Sequence, residues 1–229
     1  MVREVKEHAV RRSELLEAAQ RLVFTKGYEQ MTIQDILDEL GIAKGTFYHY
    51  FKSKRALLEA MIDSLLDDAL DLMRPIVDDP GLSAIDKFQQ IFDAISGWKT
   101  ASKEYHLSLL RVWYAEDNAV ARWKVRMARI ERMRPFIAAV IHQGVDEHMM
   151  NVRDPDQTSE VVLSLLQEFI DALAMRFLVI QSQGGNLASV VATVAAYTDA
   201  LERVVGVRLG SLAPVKSEVL AEWVDAATT

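Results

Sequence analysis

Side chains that can contact nucleic acid are concentrated in one short segment of this chain. From Thr32 to Arg55 the sequence reads TIQDILDELGIAKGTFYHYFKSKR, which is rich in hydroxyl, aromatic and basic residues. Hydroxyls and lysines commonly bind phosphates, whereas base sequence is read in the major groove. Two short helical patterns joined at Gly41 carry these groups. The segment therefore indicates a helix-turn-helix that binds DNA.

The first of these two helices has clear start and stop signals. Thr32 and Asp35 have the spacing of a helix N-cap, so a helix begins near Ile33. Gly41 follows the last apolar residue, where a helix end favours a residue that tolerates positive φ. One apolar face is predicted from four residues at helical spacing: Ile33, Ile36, Leu37 and Leu40.

The second helix combines a small apolar face with polar and aromatic groups. Its apolar contacts come from Ile42, Phe47 and Phe51. The side chains predicted to point elsewhere are Lys44, Thr46, Tyr48, His49 and Tyr50. Gly45 costs about 1 kcal/mol relative to alanine inside a helix, which makes sense if a nucleic acid must approach closely.

A long helix follows, and it leads from this segment into the rest of the chain. Ser53 is a plausible N-cap, and the helix runs from Lys54 to about Asp79, with Pro75 ending or kinking it. A lysine in the first turn opposes the helix dipole, and a bound phosphate would remove that penalty.

The segment resembles the DNA-binding domain of the TetR family of bacterial transcriptional regulators. The matching residues are Phe24, Thr25–Tyr28, Met31–Ile33, Leu40–Lys54 and Leu57–Leu58. The resemblance implies an all-α fold of about nine to ten helices. Residues 1–55 would form a three-helix DNA-binding domain, and residues 56–229 a larger domain for ligand binding and dimerisation. Ala43 departs from the family pattern, which commonly has serine there, so the second helix is predicted to lack a side-chain cap.

The same resemblance assigns roles to individual residues of the segment. It implies base contacts by Gln34, Lys44, Gly45 and His49, although Gln34 could reach either a base or a phosphate. It implies phosphate contacts by Thr32, Thr46, Tyr48, Tyr50 and Lys54. The alternatives are that Tyr48 is a core aromatic, that Lys54 is merely solvated and that His49 faces solvent without a role.

Charge is distributed unevenly along the chain. The 229 residues have a net charge of −7 and contain no cysteine, so disulfides and thiolate chemistry are excluded. Residues 1–55 hold ten Lys and Arg against eight Asp and Glu, whereas the remainder holds sixteen against twenty-five. A weakly basic head can approach phosphates while the acidic remainder stays away, and DNA binding should weaken steeply with salt.

No segment has the composition of a membrane anchor. Arg3–Arg12 lacks an apolar signal core, and the most apolar long stretch, Val161–Ile180, is interrupted by polar and charged residues. We therefore expect a soluble, cytoplasmic protein without a membrane partner.

The remaining sequence has helical periodicity without a strand pattern. The first helix is predicted to run from Ser13 to Lys26, and the last two long helices from Thr158 to about Gln181 and from Leu187 to about Gly206. Apolar lines along those two helices predict either a monomeric core or a four-helix homodimer interface, which family resemblance favours. The predicted interface residues are Val162, Leu166, Phe169, Leu173, Val190, Val194, Tyr197 and Leu201. A dimer would place two reading helices about 34 Å apart on a palindromic operator.

Aromatic and thioether side chains in the middle helices could line a pocket for a small-molecule effector. The candidates are Trp98, His106, Leu110, Trp113, Tyr114, Met127, Phe136 and Phe169. Aromatic residues at helical spacing are also typical of an ordinary core.

Enzymatic and metal sites are not predicted. His142 and Asp146 are four residues apart, but further ligands at suitable spacing and cysteine are lacking. No phosphate loop or nucleophile elbow is present, so no cofactor is expected. The sequence predicts a ligand-responsive regulator, a repressor released from a palindromic operator by a small-molecule effector. The alternative is a helical ligand-binding or protein-interaction module that does not use its head for specific DNA binding.

Overall fold

The computed structural model describes the backbone of residues 2–228 and the side chains of residues 8–228. Met1 and Thr229, the outer ends of the two predicted domains, lie outside the described residues. The helices are α1 (Val2–Lys26), α2 (Ile33–Leu40), α3 (Lys44–Tyr50), α4 (Lys54–Val77), α5 (Ala84–Ala101), α6 (Lys103–Trp113), α7 (Ala119–Asp146), α8 (Pro155–Gln183), α9 (Leu187–Val205) and α10 (Ser217–Thr228). The described range holds no β-strand, and the all-α prediction is confirmed.

The start of α1 differs from the prediction. The helix begins at Val2, so Ser13 is an interior residue, and its hydroxyl donates to Glu17 at 3.0 Å instead of capping the backbone. Residues 2–12 contain neither glycine nor proline. A serine signals a helix start only where the residues before it disfavour helix, and here they do not.

Local sequence rules explain α2 and the turn that follows it. Thr32 and Asp35 form a reciprocal capping box at the start of α2, as predicted. Gly41 ends the helix with φ 61° and ψ 37°, in the left-handed region. Ala43 makes no side-chain cap for α3, which confirms the predicted departure.

The chain divides into two compact units. The first comprises residues up to Leu66 together with Glu104–Val125. Its core is built around side chains that are fully buried: Leu15, Met31, Ile36, Phe47, Leu57, Leu58 and Met61. These residues come from α1 to α4, so the DNA-binding segment is part of a folded core. The functional boundary at residue 55 stays a prediction.

The second unit comprises Asp67–Lys103 and the residues from Arg126 onward. Helices α8 and α9 pack closely against each other, and α10 packs against both. Glu202 is buried at the end of α9, where its carboxylate accepts from the backbone N–H groups of Gly210 (2.9 Å) and Leu212 (2.8 Å). This carboxylate thereby holds the loop that leads to α10. Within the described range, no helix is long and apolar enough to cross a bilayer.

Gly41 and Gly206 each end a helix with left-handed backbone angles, but only Gly206 lies close to another segment of the chain. Gly206 has φ 68° and ψ 32°, and a Cβ there would lie 2.5 Å from the carbonyl oxygen of Asn151. Gly41 has similar angles, but a Cβ there would meet no atom within 4 Å. Gly41→Ala would therefore meet only backbone strain, whereas Gly206→Ala would also displace the Asn151 loop.

We expect Gly41→Ala to lower the free energy of unfolding by about 1 kcal/mol. Gly206→Ala should cost clearly more, roughly 2 kcal/mol or above, because close contact is added to strain. Urea unfolding followed by circular dichroism measures both. Equal losses for the two variants would show that the Asn151 contact relaxes freely.

Candidate functional site

Helix α3 exposes one face made of four predicted base- or phosphate-contacting residues. Lys44, Gly45, Tyr48 and His49 are exposed, at the spacing of one side of a helix. Phe47, on the opposite side, is fully buried, and Phe51 just after the helix is 3% exposed. The buried aromatic rings therefore determine which residues of α3 point outward.

Tyr48 is not a core aromatic, because 44% of its surface is exposed. Its ring packs edge-on against Phe47, with centroids 5.5 Å apart, and Lys44 Nζ lies 5.9 Å from the Tyr48 centroid. His49 contacts the Tyr50 ring edge-on at 5.0 Å. The aromatic residues of α3 thus form two contacting pairs, Phe47 with Tyr48 and His49 with Tyr50, and the first pair runs from the core to the exposed face.

Thr32 takes part in a hydrogen-bond network at the start of α2. Its hydroxyl accepts from the Asp35 backbone N–H at 3.1 Å and donates to Asp35 Oδ2 at 2.9 Å. Lys26 Nζ donates to the other carboxylate oxygen at 2.8 Å. The hydrogen bonds from Lys26 and Thr32 lower the pKa of Asp35 to about 2. The Thr32 hydroxyl would have to leave Asp35 in order to donate to a phosphate.

Lys54 is held against the protein, which argues against a merely solvated side chain. Its Nζ donates to the Glu29 carbonyl oxygen at 3.2 Å and lies 4.4 Å from the centroid of the Tyr28 ring. Burial lowers the pKa of Lys54 and raises the pKa of Tyr28 to about 12. The Tyr28 hydroxyl donates to the Lys54 carbonyl oxygen at 3.2 Å. No local pattern predicts these contacts, because they join residues 25 or 26 positions apart.

The remaining predicted contact residues lie in the same unit. Gln34 is exposed on α2 and donates to Asp38 at 2.7 Å, while Thr46 and Tyr50 are half-buried on α3. A Cβ at Gly45 would meet none of the described protein atoms within 4 Å. The fold itself therefore does not require glycine at this position.

The predicted pocket residues are divided between the two units. His106, Leu110, Trp113 and Tyr114 belong to the first unit, and Trp98, Met127, Phe136 and Phe169 belong to the second. Phe169 also borders a space of about 10 Å³ in the second unit. That space is lined by Leu165, Leu166, Phe169, Tyr197, Thr198, Leu201 and Pro214. A typical ligand pocket holds about 300–1,000 Å³, so this space is too small for an effector in the conformation described.

Most of the predicted interface residues are buried inside the single chain. Five of them are at most 8% exposed: Val162, Phe169, Val190, Val194 and Leu201. Leu166, Leu173 and Tyr197 are half-buried. The exposed apolar side chains of the same helices are Val161, Met175 and Val179 on α8 and Val191 on α9, beside the exposed alanines Ala188, Ala192, Ala195 and Ala196.

Lys99 has an altered acidity that its sequence context does not reveal. It is half-buried near the end of α5, next to Trp98. Burial, together with the positive charge of Arg129, lowers the pKa of Lys99 to about 8. Arg129 donates to the side-chain oxygen of the buried Gln167 at 2.7 Å. The effect depends on packing among α5, α7 and α8, which spacing along the sequence cannot show.

Comparison with known proteins finds a family match near the N-terminus of the chain. Residues 15–61 match the sequence profile described as bacterial regulatory proteins of the tetR family. The HTH-type transcriptional repressor KstR2 of Mycobacterium tuberculosis is 27% identical over 161 residues, which cover 69% of this chain and 76% of the repressor.

Two solved structures of TetR-family regulators have a similar fold. A TetR-family transcriptional regulator from Pectobacterium atrosepticum superposes with a TM-score of 0.63 at 17% identity, covering 90% of this chain and 97% of that one. A TetR transcription regulator from Haloarcula marismortui gives a TM-score of 0.62 at 23% identity, covering 84% and 98%. At these identities the likeness shows the fold alone.

The lowered pKa of Lys99 predicts a pH-dependent stability. An unfolded lysine has a pKa near 10.5, so between about pH 8 and 10.5 the folded chain binds fewer protons at this site than the unfolded chain. The free energy of unfolding therefore rises with pH between about pH 8 and 10.5. Below about pH 8 the folded chain bears the full destabilisation from burying the charged Lys99 side chain. We expect Lys99→Met to raise the free energy of unfolding at pH 7 by up to about 3 kcal/mol.

Denaturant unfolding at about pH 7 and about pH 10 measures this difference. Lys124→Met, at an exposed lysine, is the matched control and should leave the pH dependence unchanged. If Lys99→Met raised the free energy of unfolding equally at both pH values, the lowered pKa of Lys99 would be contradicted.

Proposed function

We propose that this chain is a ligand-responsive transcriptional repressor, because its residues 15–61 match the tetR family of bacterial regulatory proteins. In this proposal a dimer binds a palindromic DNA operator and releases it when a small-molecule effector binds. The name of the mycobacterial relative, a transcriptional repressor, supports repression over activation. The match at residues 15–61 supports a DNA-binding regulator.

The exposed face of α3 is the observation that carries this proposal. Lys44, Gly45 and His49 present an ammonium group, an open backbone and an imidazole on one side of a short helix. These groups can enter a major groove, where lysine pairs with the acceptors of guanine. Lys44 is our leading specificity residue, while Tyr48 and Thr46 are assigned to the DNA backbone.

The phosphate ligands fall into two groups according to their contacts in the free protein. Tyr48 is exposed and available, whereas Thr32 and Lys54 are already hydrogen-bonded within the first unit. We assign to these two residues the role of holding the ends of the helix-turn-helix in place. Lys54 also contributes its charge near the N-terminus of α4, where a phosphate would be favoured.

The exposed line on α8 and α9 supports a second copy of this chain as the partner. Val161, Met175 and Val179 follow the periodicity of one helix face, and the exposed alanines of α9 leave room for another backbone to approach. The predicted interface residues that are buried in the single chain would pack behind this surface. A dimer of this kind presents two α3 helices to one DNA duplex.

The effector region is assigned to the second unit, with Trp98, Met127, Phe136 and Phe169 as candidate contacts. The space beside Phe169 would have to enlarge before an effector could bind there. Helix α4 is continuous, with residues up to Leu66 in the first unit and the remainder in the second. An effector that favours one conformation of the second unit can therefore act on DNA binding through this helix.

The test begins with the full-length protein and a pool of duplexes with a randomised central region. We expect selection to yield an inverted repeat whose half-sites lie about 10 base pairs apart. Affinity for the selected duplex should fall steeply between about 50 and 300 mM salt. Lys44→Ala should cost about 1–3 kcal/mol of discrimination at one base pair of each half-site, whereas Tyr48→Ala should weaken all duplexes alike.

Lys216→Ala, which removes the same charge from the second unit, serves as the matched control and should preserve sequence preference. If every duplex binds equally weakly, the regulator proposal fails and the ligand-binding or protein-interaction module is favoured. If instead Tyr48→Ala changes the sequence preference and Lys44→Ala does not, the base and phosphate assignments are exchanged.

A single substitution, Gly45→Ala, should have opposite effects on stability and on DNA affinity. Gly45→Ala should stabilise the fold by about 0.5–1 kcal/mol, because glycine disfavours a helix and the new Cβ meets open space. The same methyl group would obstruct close approach of DNA, so affinity for the selected duplex should fall about tenfold.

Gly97→Ala is the matched control, since Gly97 lies inside α5 and a Cβ there also meets open space. It should stabilise the chain without changing DNA affinity. Unaltered affinity of Gly45→Ala would remove Gly45 from the interface.

A further inference from the structure

The first half of α1 continues beyond the core of the first unit. From His8 onward, where the side chains are described, the earliest fully buried residue of this helix is Leu15, whereas His8 and Val10 are exposed. At the helical rise per residue, the stretch from His8 to Leu15 is roughly 10 Å long. Packing of the core does not account for this part of the helix.

This part of α1 instead lies beside the C-terminal end of α3. The His8 ring lies 4.5 Å from the Tyr50 ring and 5.6 Å from the His49 ring, measured between centroids. The His8 and His49 planes meet at 71°, and those of His49 and Tyr50 at 89°. One turn further along α1, the Arg12 guanidinium lies 5.5 Å from the centroid of the Phe51 ring. The three rings of His8, His49 and Tyr50 therefore form a mutually packed cluster.

The cluster matters because His49 is on the exposed face of α3. An exposed imidazole ordinarily samples several rotamers, and fixing such a side chain on binding reduces affinity by a factor of about two to ten. His49 is packed edge-on against one ring on α1 and another on α3. Its orientation is thus restricted before DNA arrives.

We propose that His8 is a positioning residue for DNA recognition, which orients His49 toward the base edges and Tyr50 toward the DNA backbone. The inference rests on the proposed DNA-binding function, and it adds α1 to the elements that determine sequence preference. His8 acts through the packing of its ring, and its contact with DNA is indirect.

The experiment uses the full-length protein and the duplex that the wild-type chain selects from the randomised pool. His8→Ala should bind this duplex about threefold to tenfold more weakly, because His49 must then be ordered on binding. Discrimination against a duplex altered at the base pair read by His49 should fall by a similar factor. Val10→Ala, at an exposed position two residues away on the same helix, should change neither quantity.

A double-mutant cycle separates positioning from direct contact. If His8 acts through His49 and Tyr50, adding His8→Ala to a His49→Ala, Tyr50→Ala background should cause no further loss of affinity. Undiminished loss in that background would overturn the proposal and show that His8 binds DNA itself. His8→Phe, which keeps a ring but removes the imidazole nitrogens, should restore wild-type discrimination.

Thermal unfolding of the same variants excludes a general loss of structure, since His8→Ala should retain the wild-type midpoint. If the wild-type chain selects no duplex, the proposed function itself fails. If it selects one and His8→Ala binds with the wild-type profile, only the positioning role fails.

Discussion

The complete burial of Phe47 is the constraint on which the DNA-reading surface depends. A seven-residue helix such as α3 is too short to be stable alone, so its conformation and orientation come from packing. Phe47 and Phe51 anchor it to residues from α1 and α4. Once these rings are buried, the helical period directs Lys44, Gly45 and His49 outward. The chemistry offered to DNA therefore follows from a hydrophobic contact on the other side of the same helix.

Polar contacts hold the two ends of the helix-turn-helix in place. Asp35 binds both Lys26 and Thr32 before α2, and Lys54 binds the backbone of Glu29 at the start of α4. Lys26 is paired with a carboxylate, whereas Lys54 keeps its full charge because its partner is an uncharged carbonyl oxygen. In the proposed dimer, specific binding would rely on two copies acting together and on how well each α3 is oriented.

Local sequence patterns predicted the start and end of α2 correctly. They did not predict contacts between residues far apart in the sequence. The capping box, the turn at Gly41 and the missing cap at Ala43 all depend on residues within a few positions of one another. The start of α1 was predicted at Ser13, because a cap signal does not show whether the preceding residues continue the helix. Periodicity also fails to distinguish burial inside a chain from burial between chains, as Val190 illustrates with no exposed surface. The Lys54 and Lys99 environments require contacts among separate helices.

The open space beside Gly45 has an evolutionary consequence. No protein atom lies where a Cβ would be, so folding places little constraint on the side chain at this position. Core positions such as Phe47 lack this freedom, because any change there alters packing. If Gly45 contacts DNA as proposed, substitution at Gly45 would change operator preference in related chains while the rest of the helix-turn-helix stays fixed, and divergence of recognition would precede divergence of the fold.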